Sequence, residues 1–211
     1  MASINTVAAD RVKTDELKVG DPASESAHAY KSPQASAPYE ITSRYEWGVD
    51  TDGKTEFFPA MTDRGRKPTG TSEFPLKLDA KNVGVMLRRK LDYSLPNQQA
   101  DVYVSDEDGK DWKPAGTWYL AGANTCVYSN PKSELGATEH NLATSNRRFR
   151  DDEFLLPLDL TAGRGVIRVR VQFNPMNVPL FPGRPLDEQA WSEMRYDAYC
   201  YVLAEDEGGA K

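Results

Sequence analysis

The stretch GVIRVRVQFNP constrains this chain more than any other. Ile167, Val169, Val171 and Phe173 alternate with Arg168, Arg170 and Gln172, a period of two that an extended strand with one dry and one wet face satisfies. A helix would scatter the same residues around its circumference. The period recurs in NVGVMLRRKLDY through Val83, Val85, Leu87 and Leu91, and in QADVYVSDEDGKDW, which runs into an Asp/Gly turn. These two strands are expected to lie side by side.

Shorter β-rich runs follow in YEITSRYEWGV, SEFPLKL, AGTWYLA, DEFLLPL and MRYDAYCYVL, separated by Gly, Pro, Asn and Asp at intervals of roughly 8 to 15 residues. The pattern predicts an all-β fold, a jelly-roll β-sandwich of about eight antiparallel strands in a single domain with long loops. The domain is expected over 18–203, with polar, aperiodic tails at 1–17 and 204–211. Between Asp50 and Gly70, and between Asn130 and Asn146, the periodicity lapses. Such loops carry function or mere elaboration. LDEQAWSEM allows one short helical turn behind a Pro-rich, extended segment.

With 39% apolar residues in 211, the chain can bury a real core. Its 32 acidic against 26 basic residues, net charge -6, argue against nucleic acid as a partner, because that affinity rests on neutralising phosphates. No run approaches the ~20 apolar residues of a membrane span, and the first residues lack an apolar signal core. No membrane partner is therefore expected, and the reading is cytoplasmic. Cys126 and Cys200 lack the paired spacing of a zinc site and are expected as buried free thiols.

The two histidines, His28 and His140, sit near no nucleophile turn, and no phosphate loop, dinucleotide fingerprint or H-E-x-x-H occurs. What remains is an inventory of carboxylates, arginines and aromatics. TWYLAGANTCVYSNPKSELG offers Trp118, Tyr119, Asn124, Tyr128, Asn130 and Glu134, and TSNRRFRDDEFLLPL offers Asn146, Arg147, Arg150 and Glu153. Sugars are held by aromatic faces and polar side chains, and glycosidic bonds are commonly cleaved between two carboxyl groups. Glu134 can equally be an exposed loop residue, and Glu153 an ion-pair partner of Arg147, Arg148 or Arg150. On a regular strand Arg150 and Asp152 share a face and are the obvious pair there. Trp112, Trp191, Phe173 and Phe181 read as packing residues.

The strings VGDPASESAHAY, TGTSEFPLKLDAKNVGVMLRRKLDY, AGTWYLAGANTCVYSNPKSELGATEH, TSNRRFRDDEFLLPL and PLFPGRPLDEQAWSEMRYDAYCYV together resemble the C-terminal half of the domain of unknown function 2961 proteins, which include glycoside hydrolase family 172. The resemblance runs from Val19 to Val202. It implies a jelly roll, assembly into a homo-oligomer (trimer or hexamer) or pairing with a second jelly-roll chain, and hydrolysis of fructo-, arabino- or galactofuranosides with no metal or organic cofactor. It further implies a retaining pair, Glu153 as nucleophile and Glu134, or Glu139 in its place, as acid/base, in a pocket completed by a neighbouring subunit. Trp118, Asn124, Tyr128, Asn146, Arg147 and Arg150 would then bind the carbohydrate substrate. Members of that family carry two jelly rolls, and this chain has room for one. Two other readings therefore stand beside the furanosidase, a non-catalytic capsid-like assembly protein and a sugar-binding module.

Overall fold

The computed structural model describes residues 9–49, 55–122, 125–129, 140–144, 149–175 and 190–204, with backbone alone at 43–49, 55–60, 125–129 and 140–144. Its strands in chain order are β1 (Ala9–Lys18), β2 (Tyr39–Val49), β3 (Thr55–Gly65), β4 (Thr71–Lys77), β5 (Val85–Asp92), β6 (Gln98–Ser105), β7 (Lys113–Leu120), β8 (Thr125–Ser129), β9 (His140–Thr144), β10 (Phe149–Leu156), β11 (Val166–Phe173) and β12 (Arg195–Leu203). Eight of them form two four-stranded sheets, ordered β1-β12-β5-β10 and β4-β11-β6-β7, and every pairing is antiparallel. Set aside the hairpins β2-β3 and β8-β9, and the first, eighth, third and sixth strands make one sheet. The second, seventh, fourth and fifth make the other, which is the wiring of a jelly roll.

The predicted alternation is what fills the space between the sheets. Val85, Leu87 and Leu91 of β5 face Ala100, Val102 and Val104 of β6 and Ile167, Val169 and Val171 of β11, all buried in one cluster apart from the separately buried Leu91. Fully burying each such side chain is worth about 1.5–3 kcal/mol. Val83, expected in the same stripe, lies before β5 begins and is exposed.

Three expectations change. β5 and β6 are not neighbours: each is central in a different sheet, because residues 93–97 carry the chain across the sandwich. The segment between Asp50 and Gly70 is largely strand β3, and the one between Asn130 and Asn146 contains β9. Of the tail expected over 1–17, the part from Ala9 on is strand, since β1 pairs with β12 from Ala9↔Leu203 to Lys18↔Arg195. As an edge strand β1 buries only Leu17 fully and keeps a charged outer side, so it shows none of the apolar alternation that marks a half-buried strand. Residues 1–8 and 205–211 lie outside the described residues.

A six-residue helix, α1 (Pro22–Ala27), follows β1, with Asp21 capping it by accepting from the backbone N–H of Ala23 and Ser24 and proline at its first position. Of LDEQAWSEM, residues 190–194 are described and are not helical. Among the described residues no helix is long and apolar enough to cross a membrane.

Among the described residues three carboxyl or guanidinium side chains of the interior are 0% exposed, Arg89, Asp92 and Glu193. Glu193 accepts hydrogen bonds from Tyr30 Oη at 2.6 Å, Tyr196 Oη at 2.7 Å and Ser72 Oγ at 3.0 Å. Burial pushes its carboxyl up, and the three hydroxyls pull the other way. Arg89 donates through Nη1 to Gln98 Oε1 and to the Ser192 carbonyl, with its guanidinium 3.2 Å from the Trp191 ring centroid. Burial pushes it down to about 10.

Leu17→Ala tests the docking of β1. A loss of about 2–5 kcal/mol in urea unfolding is expected for a buried leucine, whereas a change within about 0.5 kcal/mol would return β1 to the status of a tail.

Candidate functional site

Glu153 is where the sequence placed the chemistry, and the structure sets it on the outer face of the first sheet. β10 runs in unbroken register with β5, so Glu153 stands opposite Arg88 and Asp152 opposite Arg89. Alternation then sends Asp152, Phe154 and Leu156 inward and Glu153 and Leu155 outward. Glu153 Oε1 accepts from Arg11 Nη2 at 2.5 Å and from Arg88 Nε at 2.8 Å. Both guanidinium groups also lie over the Tyr199 ring, 4.2 and 4.8 Å from its centroid. The Arg11 hydrogen bond, against the opposing effect of partial burial and with help from Arg88, holds the Glu153 carboxyl below the usual glutamate range.

Of the arginines expected beside it, Arg150 alone is among the described residues, and it is directed elsewhere. Arg150 lies with its guanidinium 4.8 Å from the Tyr93 ring centroid, and Arg147 falls outside the described residues together with Asn124, Asn130, Glu134, Glu139 and Asn146. Tyr128 and Cys126 are placed by backbone only, opposite Asn141 and Ala143 in the β8-β9 hairpin. Asp152 pairs not with Arg150 but with Trp118, whose Nε1 donates to Oδ2 at 2.8 Å. Trp118 itself, expected as a sugar platform, is 2% exposed, stacked on Phe154 and edge-on to Trp191. It is a core residue with no ring face open to a ligand. Cys200 is a buried free thiol, as expected, and its Sγ accepts from the Asp79 backbone N–H.

Much of the outer surface of the first sheet is occupied by ion pairs of its own. Lys13 meets Asp197 at 2.8 Å and also Glu16, Arg195 meets Asp197 at 3.0 Å, and Lys90 meets Asp63 at 2.5 Å. Charges facing one another in this way satisfy the sheet without a ligand.

The outer face of the second sheet is different, and of its residues the sequence inventory named Tyr119 alone. Its polar phase brings Gln99, Asp101 and Tyr103 of β6 beside Arg168, Arg170 and Gln172 of β11, with Thr117 and Tyr119 of β7 on the far side. Asp101 lies between Gln172 and Thr117 in register. One of its oxygens accepts from Thr117 Oγ1 at 2.7 Å and the other from Asn174 Nδ2 at 3.0 Å. Arg170 donates to Glu73 at 2.7 Å and stacks 3.9 Å from the Trp112 ring centroid. Tyr119 is 45% exposed. A register shift between Val102 and Tyr103, with Gly116 of the bulged β7 at φ 132°, sets Tyr103 opposite Pro114. A tyrosine in the polar phase of VYV was the available signal, since aromatics on a strand's wet side have no packing reason to be there.

Among the described residues no group of three or more histidines, cysteines or carboxylates is placed to hold a metal ion. No family model and no curated protein matches the sequence. The resemblance to the domain of unknown function 2961 proteins thus rests on the quoted strings. Of their residues, Arg89, Trp118, Asp152, Ser192 and Glu193 take part in interior hydrogen bonds. One solved structure, titled as the structural basis for the promiscuous specificity of the carbohydrate-binding modules from the beta-sandwich super family, is similar over 83% of this chain, at 11% identity and a TM-score of 0.25. This chain spans 57% of that one. A likeness of that degree decides nothing about a ligand here, and the fold stands on its own strand wiring.

Glu153→Gln removes a carboxylate whose folded-state pKa is depressed. Its stabilisation is fully present above the unfolded value of about 4.3 and fades as pH falls through the folded value. Urea unfolding should show the variant about 0.5–1 kcal/mol less stable at pH 7, the scale of an exposed network. The gap should close in strong acid; a gap that persists there would mean that the carboxylate's charge is not what the two arginines hold.

Proposed function

We propose that this chain is a non-catalytic carbohydrate-binding jelly roll that takes its ligand on the outer face of the sheet β4-β11-β6-β7. The observation that carries this reading is the company Asp101 keeps: an ordered carboxylate flanked by Tyr103, Tyr119, Gln99, Gln172 and Asn174 on an open sheet surface. Aromatic rings stack against the apolar faces of sugar rings, and amides and carboxylates take their hydroxyls. Because Asp101, Thr117 and Asn174 already hold one another, little side-chain freedom is lost on binding. Tyr119→Ala leaves the core untouched and is expected to weaken binding of a soluble polysaccharide about 3- to 10-fold in affinity electrophoresis. Unchanged mobility of the variant beside a retarded wild type would remove Tyr119 from the site.

A furanoside hydrolase is the second reading, favoured by the ionised state of Glu153, which suits a nucleophile. If that reading is right, the chain releases p-nitrophenol from an aryl furanoside and Glu153→Gln abolishes the release. If the binding-module reading is right, neither protein turns over any member of an α- and β-furanoside panel.

A further inference from the structure

Resting on the reading of the second sheet as a sugar-binding face, we infer that its ligand is an uncharged, extended glycan, read through the hydroxyls of about three consecutive units, and that Asp101 is the specificity-determining residue. The charges along the row through Asp101 select against acidic sugars: the other cation of the face, Arg168, stands opposite Ser105, four residues along β11 from Gln172 and so about 13 Å from that row. Arg170, a cation that could take a uronate carboxylate, is already committed to Glu73 at 2.7 Å and covered on one side by Trp112. The group left at the centre is an anion. Each oxygen of Asp101 accepts one internal hydrogen bond, and a carboxylate has room for about four, so roughly two acceptor positions remain for ligand O–H donors. Acceptors of this kind suit neighbouring hydroxyls on a neutral ring and repel a carboxylate or sulfate.

The shape of the face argues for an extended chain. Asp101 lies on a row that crosses the strands, from Thr71 on β4 through Gln172 to Thr117 on β7. Four strands spaced about 4.8 Å apart make this row roughly 14 Å long, about three sugar rings end to end. The row runs from β4, whose outer side is bonded by Lys31 at Glu73 and, just before the strand, by Gln34 at Thr69, to β7 at the other end of the sheet, so an extended ligand would lie across the strands.

The test is calorimetric titration of the full 211-residue chain with neutral polysaccharides (arabinan, xylan and mixed-linkage glucan), with polygalacturonate, and with mono- to hexasaccharides of the neutral series, alongside Asp101→Asn and Thr117→Val. The expected result is binding to a neutral polymer, affinity that rises to about the trisaccharide and then levels, and no heat with polygalacturonate. Asp101→Asn should lose about tenfold on the neutral chain, with the circular dichroism of the wild type retained, and Thr117→Val should lose less. Binding of polygalacturonate as tightly as of the neutral polymer, or of a monosaccharide as tightly as of the hexasaccharide, would overturn this inference while leaving sugar binding intact. No heat with any carbohydrate would overturn both.

Discussion

The sandwich depends on a carboxylate that never meets water. Glu193 sits in the short stretch before β12 and accepts hydroxyl hydrogen bonds from Tyr30, from Ser72 in one sheet and from Tyr196 in the other. An unpaired charge in that position would cost several kcal/mol, and the three donors offset that cost. Backbone bonds from Glu193 to Arg66, from Trp191 to Pro68 and from Met194 to Lys90 fix the same stretch against β3, β5 and the approach to β4. Trp191 extends the network by donating to Tyr196 Oη at 2.8 Å and stacking on Arg89. Polar groups thus fix how the two sheets meet, and the aliphatic alternation supplies most of the area they bury.

Once the interior is set in this way, the two outer faces differ in what their described residues leave unspent. On the first sheet, charges of opposite sign meet across strands, and Arg11 and Arg88 flank Tyr199 on their way to Glu153. On the second, the internal bonds are fewer, and they orient groups while leaving acceptor capacity and an exposed tyrosine ring available. That contrast is the physical ground for assigning the proposed ligand to the second face.

Most of this architecture was legible in the sequence wherever a strand is half buried. The alternation through Ile167, Val169 and Val171 gave the correct face of β11, and regular alternation across RFRDDEFLL correctly separated Glu153 from Asp152. What period two does not convey is partnership. An edge strand with one buried leucine looks polar, so β1 reads as a tail in the sequence and Arg11 is invisible there as a partner of Glu153. Arg89 occupies an inward position of β5 among aliphatics, yet its neighbours Trp191 and Gln98 come from distant segments. Trp118 looked like a binding aromatic for the same reason, since its burial depends on Phe154 and Trp191.

A ¹⁵N-correlation titration of the chain with a neutral oligosaccharide would decide which face is used. The account predicts shifts concentrated at Gln99, Asp101, Tyr103, Thr117 and Tyr119, with Arg88, Glu153 and Tyr199 unmoved. Shifts centred on Arg88, Glu153 and Tyr199, with the second sheet silent, would contradict it and return the site to the carboxylate on β10.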